Sequence, residues 1–189
     1  VIFELLDYSS PHEINMVPKS INEIIEHVLT FMRHNLNEAQ IELQLQLSPN
    51  LPAVLVDTKK MEQVFINLFL NAISVMPKGG KLNVSSHNET MQQAGSNVSS
   101  QMTECFRIGE KIVVIEVKDT GGGLSAAALE KVFDPFYSSK STGNGTGLGL
   151  SVTRSIVDMH RGLITLENRK TTLGACARLI FPTTSENES

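Results

Sequence analysis

No run of apolar residues in the chain approaches the about 18 needed to cross a bilayer, and no signal-peptide pattern opens it. The chain is therefore expected to be soluble and cytoplasmic, whatever anchors a longer parent. Clustered Lys and Arg are also missing, and the formal net charge is -4, so the footprint of a phosphate-backbone binder is absent and no nucleic-acid partner is expected. Cysteine is scarce: Cys105 and Cys176 have neither metal-ligand spacing nor the makings of a disulfide framework, which fits two unpaired thiols in a reducing compartment. Two common phosphate-binding devices are lacking as well. There is no Gly-x-x-x-x-Gly-Lys-Ser/Thr, which excludes a P-loop, and no Gly-x-Gly-x-x-Gly in a strand–turn–helix setting, so nothing supports a Rossmann site.

What is present suits one domain of ordinary size: 189 residues, 41% apolar and 19% charged, enough to bury a substantial core. Val1–Leu6 reads as the end of an apolar-faced helix that starts without a cap, and Tyr8–Val17 as a linker. A truncated helix and linker are thus expected over 1–17, the domain over 18–182 and a disordered polar tail over 183–189. Ser20 and Glu23 have capping-box spacing, and Ile21, Ile24, Ile25, Val28, Leu29 and Met32 then recur at helical spacing. Ile41, Leu43, Leu45 and Leu47 alternate as a half-buried strand does. Asp57 can cap a second helix bearing Met61, Val64, Phe65, Leu68 and Ala72, which Pro77 and Gly79-Gly80 stop. Ser86 to Glu110 is polar and aperiodic, a mobile insertion by expectation. Ile112–Val117 is a β-branched strand, Ser125–Lys131 a short helix, Leu150–His160 another, and strands follow at Leu163–Glu167 and Arg178–Phe181. Helices and strands interleave without a strict βαβ repeat, which predicts a mixed sheet with helices on one face.

Three features could carry chemistry. Asn67 and Asn71, four apart on the second helix, share a face, and an amide oxygen can coordinate a hard cation such as magnesium. Asp119 ends a β-branched strand and is followed, one residue on, by Gly121-Gly122-Gly123, so a flat ligand could approach a carboxylate able to accept a hydrogen bond from an exocyclic amine. Gly145, Gly147 and Gly149 precede a helix, where free N–H groups favour an anion such as phosphate. Alone, each is compatible with something plainer: a solvated helix face, an ordinary turn, a glycine-rich loop.

Their order is more specific. Met61–Ala72 (MEQVFINLFLNA), Asp119–Leu124 (DTGGGL), Val132–Lys140 (VFDPFYSSK) and Gly145–Leu150 (GTGLGL) together resemble the four ATP-binding boxes of the histidine kinase branch of the GHKL superfamily, over roughly Pro18 to Pro182. The resemblance implies an α/β two-layer sandwich, a mixed β-sheet with helices on one face, and a flexible ATP lid over Tyr137–Thr146 (the Bergerat type). By matching position, Asn71 would hold magnesium against the phosphates, Asp119 would read adenine, and Gly121 and Gly123 would let the base approach. Gly145, Thr146, Gly147, Leu148 and Gly149 would wrap the phosphates, Lys140 would reach the terminal one, and Phe136 and Tyr137 would line the lid's base, with Phe133 and Phe136 burying their rings.

Asn67 departs from the hydrolysing relatives of the Hsp90, gyrase and MutL types, which place a glutamate there to activate water. An amide is a poor general base, so Asn67 and Lys140 are expected to serve transfer to a histidine rather than hydrolysis. His12-Glu13-Ile14-Asn15 superficially resembles the acceptor motif, but Met16 replaces its proline, and the acceptor is expected on a missing dimerisation domain. Ala175 stands where many relatives carry a hydroxyl. The implied protein is a two-component sensor histidine kinase, using ATP and magnesium, homodimeric, partnered by a response-regulator receiver domain, and allowed an inner-membrane anchor elsewhere in its length.

Overall fold

A computed structural model describes residues 14–92, 105–137 and 146–184. The elements, in chain order, are β1 (Val17–Lys19), α1 (Ile21–Glu38), β2 (Ile41–Leu47), β3 (Val54–Val56), α2 (Thr58–Ser74), β4 (Gly80–Thr90), β5 (Lys111–Lys118), α3 (Ala126–Lys131), α4 (Gly149–Met159), β6 (Leu163–Asn168) and β7 (Ala175–Pro182). Five strands form a mixed sheet in the order β2-β4-β5-β7-β6, parallel between β2 and β4 and antiparallel elsewhere. A separate antiparallel pair joins β1 to β3. No described helix is long and apolar enough to cross a membrane.

The core follows from the periodicities. Ile21, Ile24, Ile25, Val28 and Leu29 of α1 form one stripe, which packs with Met61, Val64, Phe65 and Phe69 of α2 onto Val113, Ile115 and Val117 of β5. Because side chains alternate along a strand, Ile112 and Val114 face the opposite side, where Met91 and Phe106 meet them and Ile180 in a smaller cluster. The sheet thus has helices on one face and a small apolar cap on the other.

Four expectations change. Ser86–Thr90 is strand, not insertion, since it pairs with Lys111–Ile115, and the Met91 N–H donates to the Glu110 carbonyl at 2.8 Å. Its polar side chains hid it: pairing needs only backbone, and His87 and Glu89 sit on the sheet face away from the helices. Residues 93–104 lie outside the described ones. Ser20 is the N-cap of α1 but makes no side-chain capping bond, and the Glu23 carboxylate pairs with Lys19 instead of reaching back, so neither half of the capping box forms. Val17 and Pro18, expected at the linker's end, are in β1, and Thr183 and Thr184, expected in the tail, bond to the Lys111 and Ala53 carbonyls at 3.1 and 3.0 Å.

Candidate functional site

Helix α2 is the site's spine, and Asp57 anchors its start. The carboxylate accepts from the Lys60 N–H at 3.1 Å, as expected of a cap, and also from the Asn15 N–H at 3.0 Å. Burial pushes this carboxyl's pKa up, but these two backbone bonds lead the opposing contributions, which together hold it below the usual range. The Asp57 N–H in turn donates to Nε2 of His160, whose Nδ1 lies 2.6 Å from the Ile156 carbonyl. A carbonyl can only accept, so Nδ1 donates to it and the ring links the start of α2 to the end of α4.

Further along α2, Asn67 donates through Nδ2 to the Gly149 carbonyl at 3.1 Å and to Oγ1 of Thr153 at 3.3 Å. The Thr153 hydroxyl, fully buried, donates to the same carbonyl at 2.8 Å. Asn67 therefore ties α2 to the first turn of α4. One turn on, the side-chain amide of Asn71 has no hydrogen-bond partner among the described residues. Val75, another turn on, lies against Gly121, where a Cβ would stand 2.7 Å from Val75 Cγ2. At 1.5 Å rise per residue, Asn67 and Val75 are about 12 Å apart along the axis. So one helix face touches the glycine loop before α4 at one end and the glycine loop after β5 at the other, with Asn71 midway.

At the second loop, Asp119 is buried, and its Oδ1 accepts from the N–H groups of Gly121 at 2.8 Å and Ala175 at 3.2 Å. Its Oδ2 has no partner among the described residues and stays available to a ligand. Gly121 must be glycine because Val75 and the Asp119 carboxylate occupy the space of a side chain, and Gly123 has φ of 72° with Asn168 Oδ1 2.9 Å from its missing Cβ. Ala175 lacks the hydroxyl expected here, yet its backbone N–H supplies a donor to the same carboxylate.

The lid residues divide. Lys140 and Gly145 lie outside the described residues. Gly147 has φ of 68°, and a Cβ on it would stand 2.5 Å from the main-chain carbon of Phe136, so the two ends of the lid segment meet there. Phe133 is half-buried against the core, with the Arg154 guanidinium 5.4 Å above its ring. Phe136 is not buried as expected: it is 77% exposed, with φ of 65°. Its backbone, pressed against Gly147, is what holds it, leaving the ring outside. Tyr137 donates its N–H to the Asp134 carbonyl at 3.2 Å and its side chain is half-buried. Thr146 is exposed, and its hydroxyl lies 3.4 Å from the Leu148 N–H. Leu148 caps α4 with no side-chain capping bond, so among the described residues no side chain caps the first-turn N–H groups of this 11-residue helix.

Sequence reasoning read the strands of the β6–β7 hairpin and the Leu173-Gly174 turn between them but missed that this hairpin holds the Asp119 loop. A Cβ on Gly174 would fall 2.1 Å from the Asp119 carbonyl oxygen, Arg169 donates from Nη1 to that oxygen at 3.0 Å, and Asn168 brackets Leu124 with two hydrogen bonds. Gly174 stands in a visible turn signal, but no periodicity connects it to a loop more than 50 residues earlier. Among the described residues no group of three or more His, Cys, Asp or Glu could hold a metal by itself. A magnesium ion would fit only as one shared between Asn71 and substrate phosphates, the mode a hard cation with few protein ligands uses.

The fold and the sequence have parallels among known proteins. Residues 56–185 match the family described as histidine kinase-, DNA gyrase B-, and HSP90-like ATPase. The chain belongs to that family, and the relatives it matches make its branch that of the sensor histidine kinase catalytic domain. It is 29% identical over 170 residues to the sensor histidine kinase ZraS of Escherichia coli (strain K12), covering 90% of the chain and 32% of that protein. The same identity over 170 residues links it to sporulation kinase E of Bacillus subtilis (strain 168), covering 90% of the chain and 20% of that protein. Among solved structures, a nucleotide-free catalytic domain of the histidine kinase ThkA superposes with a TM-score of 0.70 at 26% identity, covering 90% of this chain and 99% of that one. ThkA in complex with the response regulator TrrA gives 0.71 at 25% identity, covering 98% and 47%. The chain thus spans a third or less of the curated relatives named here.

Proposed function

We propose that the chain binds ATP with magnesium along α2 and that its parent protein transfers the γ-phosphoryl group to a histidine on its own dimerisation domain, for relay to a response-regulator receiver domain. The observation that carries this is Asp119: a carboxylate oriented by two backbone N–H groups, with one oxygen left free above a glycine floor, accepts from the exocyclic amine of adenine and has no use for the carbonyl of guanine. Asn71, midway between Asn67 and Val75 on one face of α2 and with an uncommitted amide, would hold a magnesium ion, which would supply charge neutralisation at the phosphates. The uncapped first turn of α4, with Gly147 and Gly149, receives phosphate oxygens through its N–H groups, and Thr146 and Leu148 belong to the same wrap. Phe136 and Tyr137 flank this wrap, and the roles of Gly145 on the phosphates and of Lys140 at the terminal one rest on the sequence motif alone.

Asn67 favours transfer over hydrolysis. Its Nδ2 is spent on Gly149 and Thr153, and an amide cannot take a proton from water at neutral pH. The enzyme therefore holds ATP without activating water and waits for the incoming imidazole, so positioning and charge neutralisation supply the rate. The parent works as a homodimer, with this domain in the cytoplasm and any membrane anchor elsewhere in its length. Calorimetric titration with a non-hydrolysable ATP analogue, with and without magnesium and against the matching GTP analogue, tests the reading. Magnesium-sensitive binding of the adenine nucleotide alone is expected; no binding to a folded sample would leave a domain that has lost its ligand.

A further inference from the structure

Two successive residues at the end of β6 grip the two ends of the loop that carries Asp119. Asn168 donates from Nδ2 to the Leu124 carbonyl at 2.7 Å and accepts through Oδ1 from the Leu124 N–H at 2.8 Å. Only one orientation of the amide satisfies both bonds. Arg169 donates from Nη1 to the Asp119 carbonyl at 3.0 Å, and its backbone N–H donates to the Gly174 carbonyl at 3.0 Å. Gly174 has room for no side chain beside Asp119, and the next residue's N–H reaches the carboxylate itself at 3.2 Å. Between the two grips stand Gly121, Gly122 and Gly123, whose backbone deforms at little steric cost. The Gly121 N–H, itself on this deformable backbone, is therefore not enough to define where Oδ2 of Asp119 points; the hairpin completes the aim.

We propose that Asn168 and Arg169 are positioning residues that aim the Asp119 carboxylate, so that selectivity for a 6-amino purine depends on the β6–β7 hairpin. This rests on the reading of Asp119 as the group that meets the base. A purely structural staple would hold the fold and treat all purines alike; a positioning device loses only the interaction that needs the aim.

The test titrates the chain with a non-hydrolysable ATP analogue and with the matching purine riboside analogue, identical except that it lacks the 6-amino group. Asn168→Ala and Arg169→Ala are each expected to weaken the adenine analogue about tenfold, the worth of one well-aimed hydrogen bond, and to leave the desamino analogue within about twofold. Equal weakening of both analogues, or weakening of neither, overturns the proposal. Asp119→Asn separates it from the reading beneath. If wild type binds both analogues alike and Asp119→Asn changes neither affinity, the base reading itself fails. If Asp119→Asn erases the discrimination while the hairpin variants keep it, only the positioning role fails. Should an alanine variant not fold, Asn168→Asp and Arg169→Lys retain part of each grip. A smaller loss confined to the adenine analogue is then expected, and a loss shared by both analogues overturns the proposal.

Discussion

Asp119 divides its two oxygens between the protein and the ligand, which makes it sensitive to the smallest change. Asp119→Asn keeps an acceptor for Gly121 and Ala175 but turns the outward atom into a donor facing another donor. Adenine-nucleotide affinity is expected to fall by about tenfold to a hundredfold, read by calorimetry, with the melting temperature unchanged. Asn71→Asp adds a charge beside the phosphates and is expected to cut magnesium-dependent affinity comparably. The cysteines contrast at the same scale. Burial pushes the Cys176 thiol up to about 11, whereas Cys105 is exposed. At neutral pH iodoacetamide should therefore label Cys105 and spare Cys176 until the chain is unfolded, which peptide mass mapping reads directly. Asn67, Asn71 and Asp119 were legible as candidates from residue type and spacing. Thr153, Arg169 and His160 were not, because a lone hydroxyl, cation or imidazole in a sequence does not say which backbone group it will meet.

Helices α2 and α4 form the element-scale unit of the site, joined at one end by Asn67 and Thr153 and at the other by Asp57 and His160. Asp57→Ala removes a cap and the bond to Asn15 and is expected to cost about 1–2 kcal/mol in urea denaturation at neutral pH. Its pH dependence has a definite sign. Because the folded-state pKa is depressed, the contribution is complete above the ordinary aspartate pKa and is lost as pH falls through the lower folded value. The gap between wild type and Asp57→Ala should therefore close only in acid. The helices themselves were readable: Ile21–Glu38 and Thr58–Ser74 show long apolar stripes, the second with a clear stop at Pro77 and Gly79-Gly80. β4 was readable only in part, since its last residues are polar and owe their strand state to β5.

Over the whole molecule, the sheet separates two jobs. Its helix-covered face holds the candidate site, and its other face holds the small cluster of Met91, Phe106, Ile112, Val114 and Ile180. Phe106→Ala should lower stability by about 3 kcal/mol through the cavity it leaves, yet leave nucleotide affinity unaltered, because the sheet stands between that cavity and α2. Comparing urea melts with calorimetric affinities checks both halves.

The sequence by itself determined the family, the mixed α/β class and the order of the glycine and asparagine motifs, because periodicity and motif spacing are local properties that a linear chain displays. Only the tertiary structure decided how Asp119 is held. Its carboxylate, its carbonyl and the far end of its loop depend on Ala175, Gly174, Arg169 and Asn168, which come beside it through the antiparallel pairing of β5 with β7 and β7 with β6. A hydrogen bond is fixed by position in space, and residues some 50 places apart acquire that position only when the sheet is made.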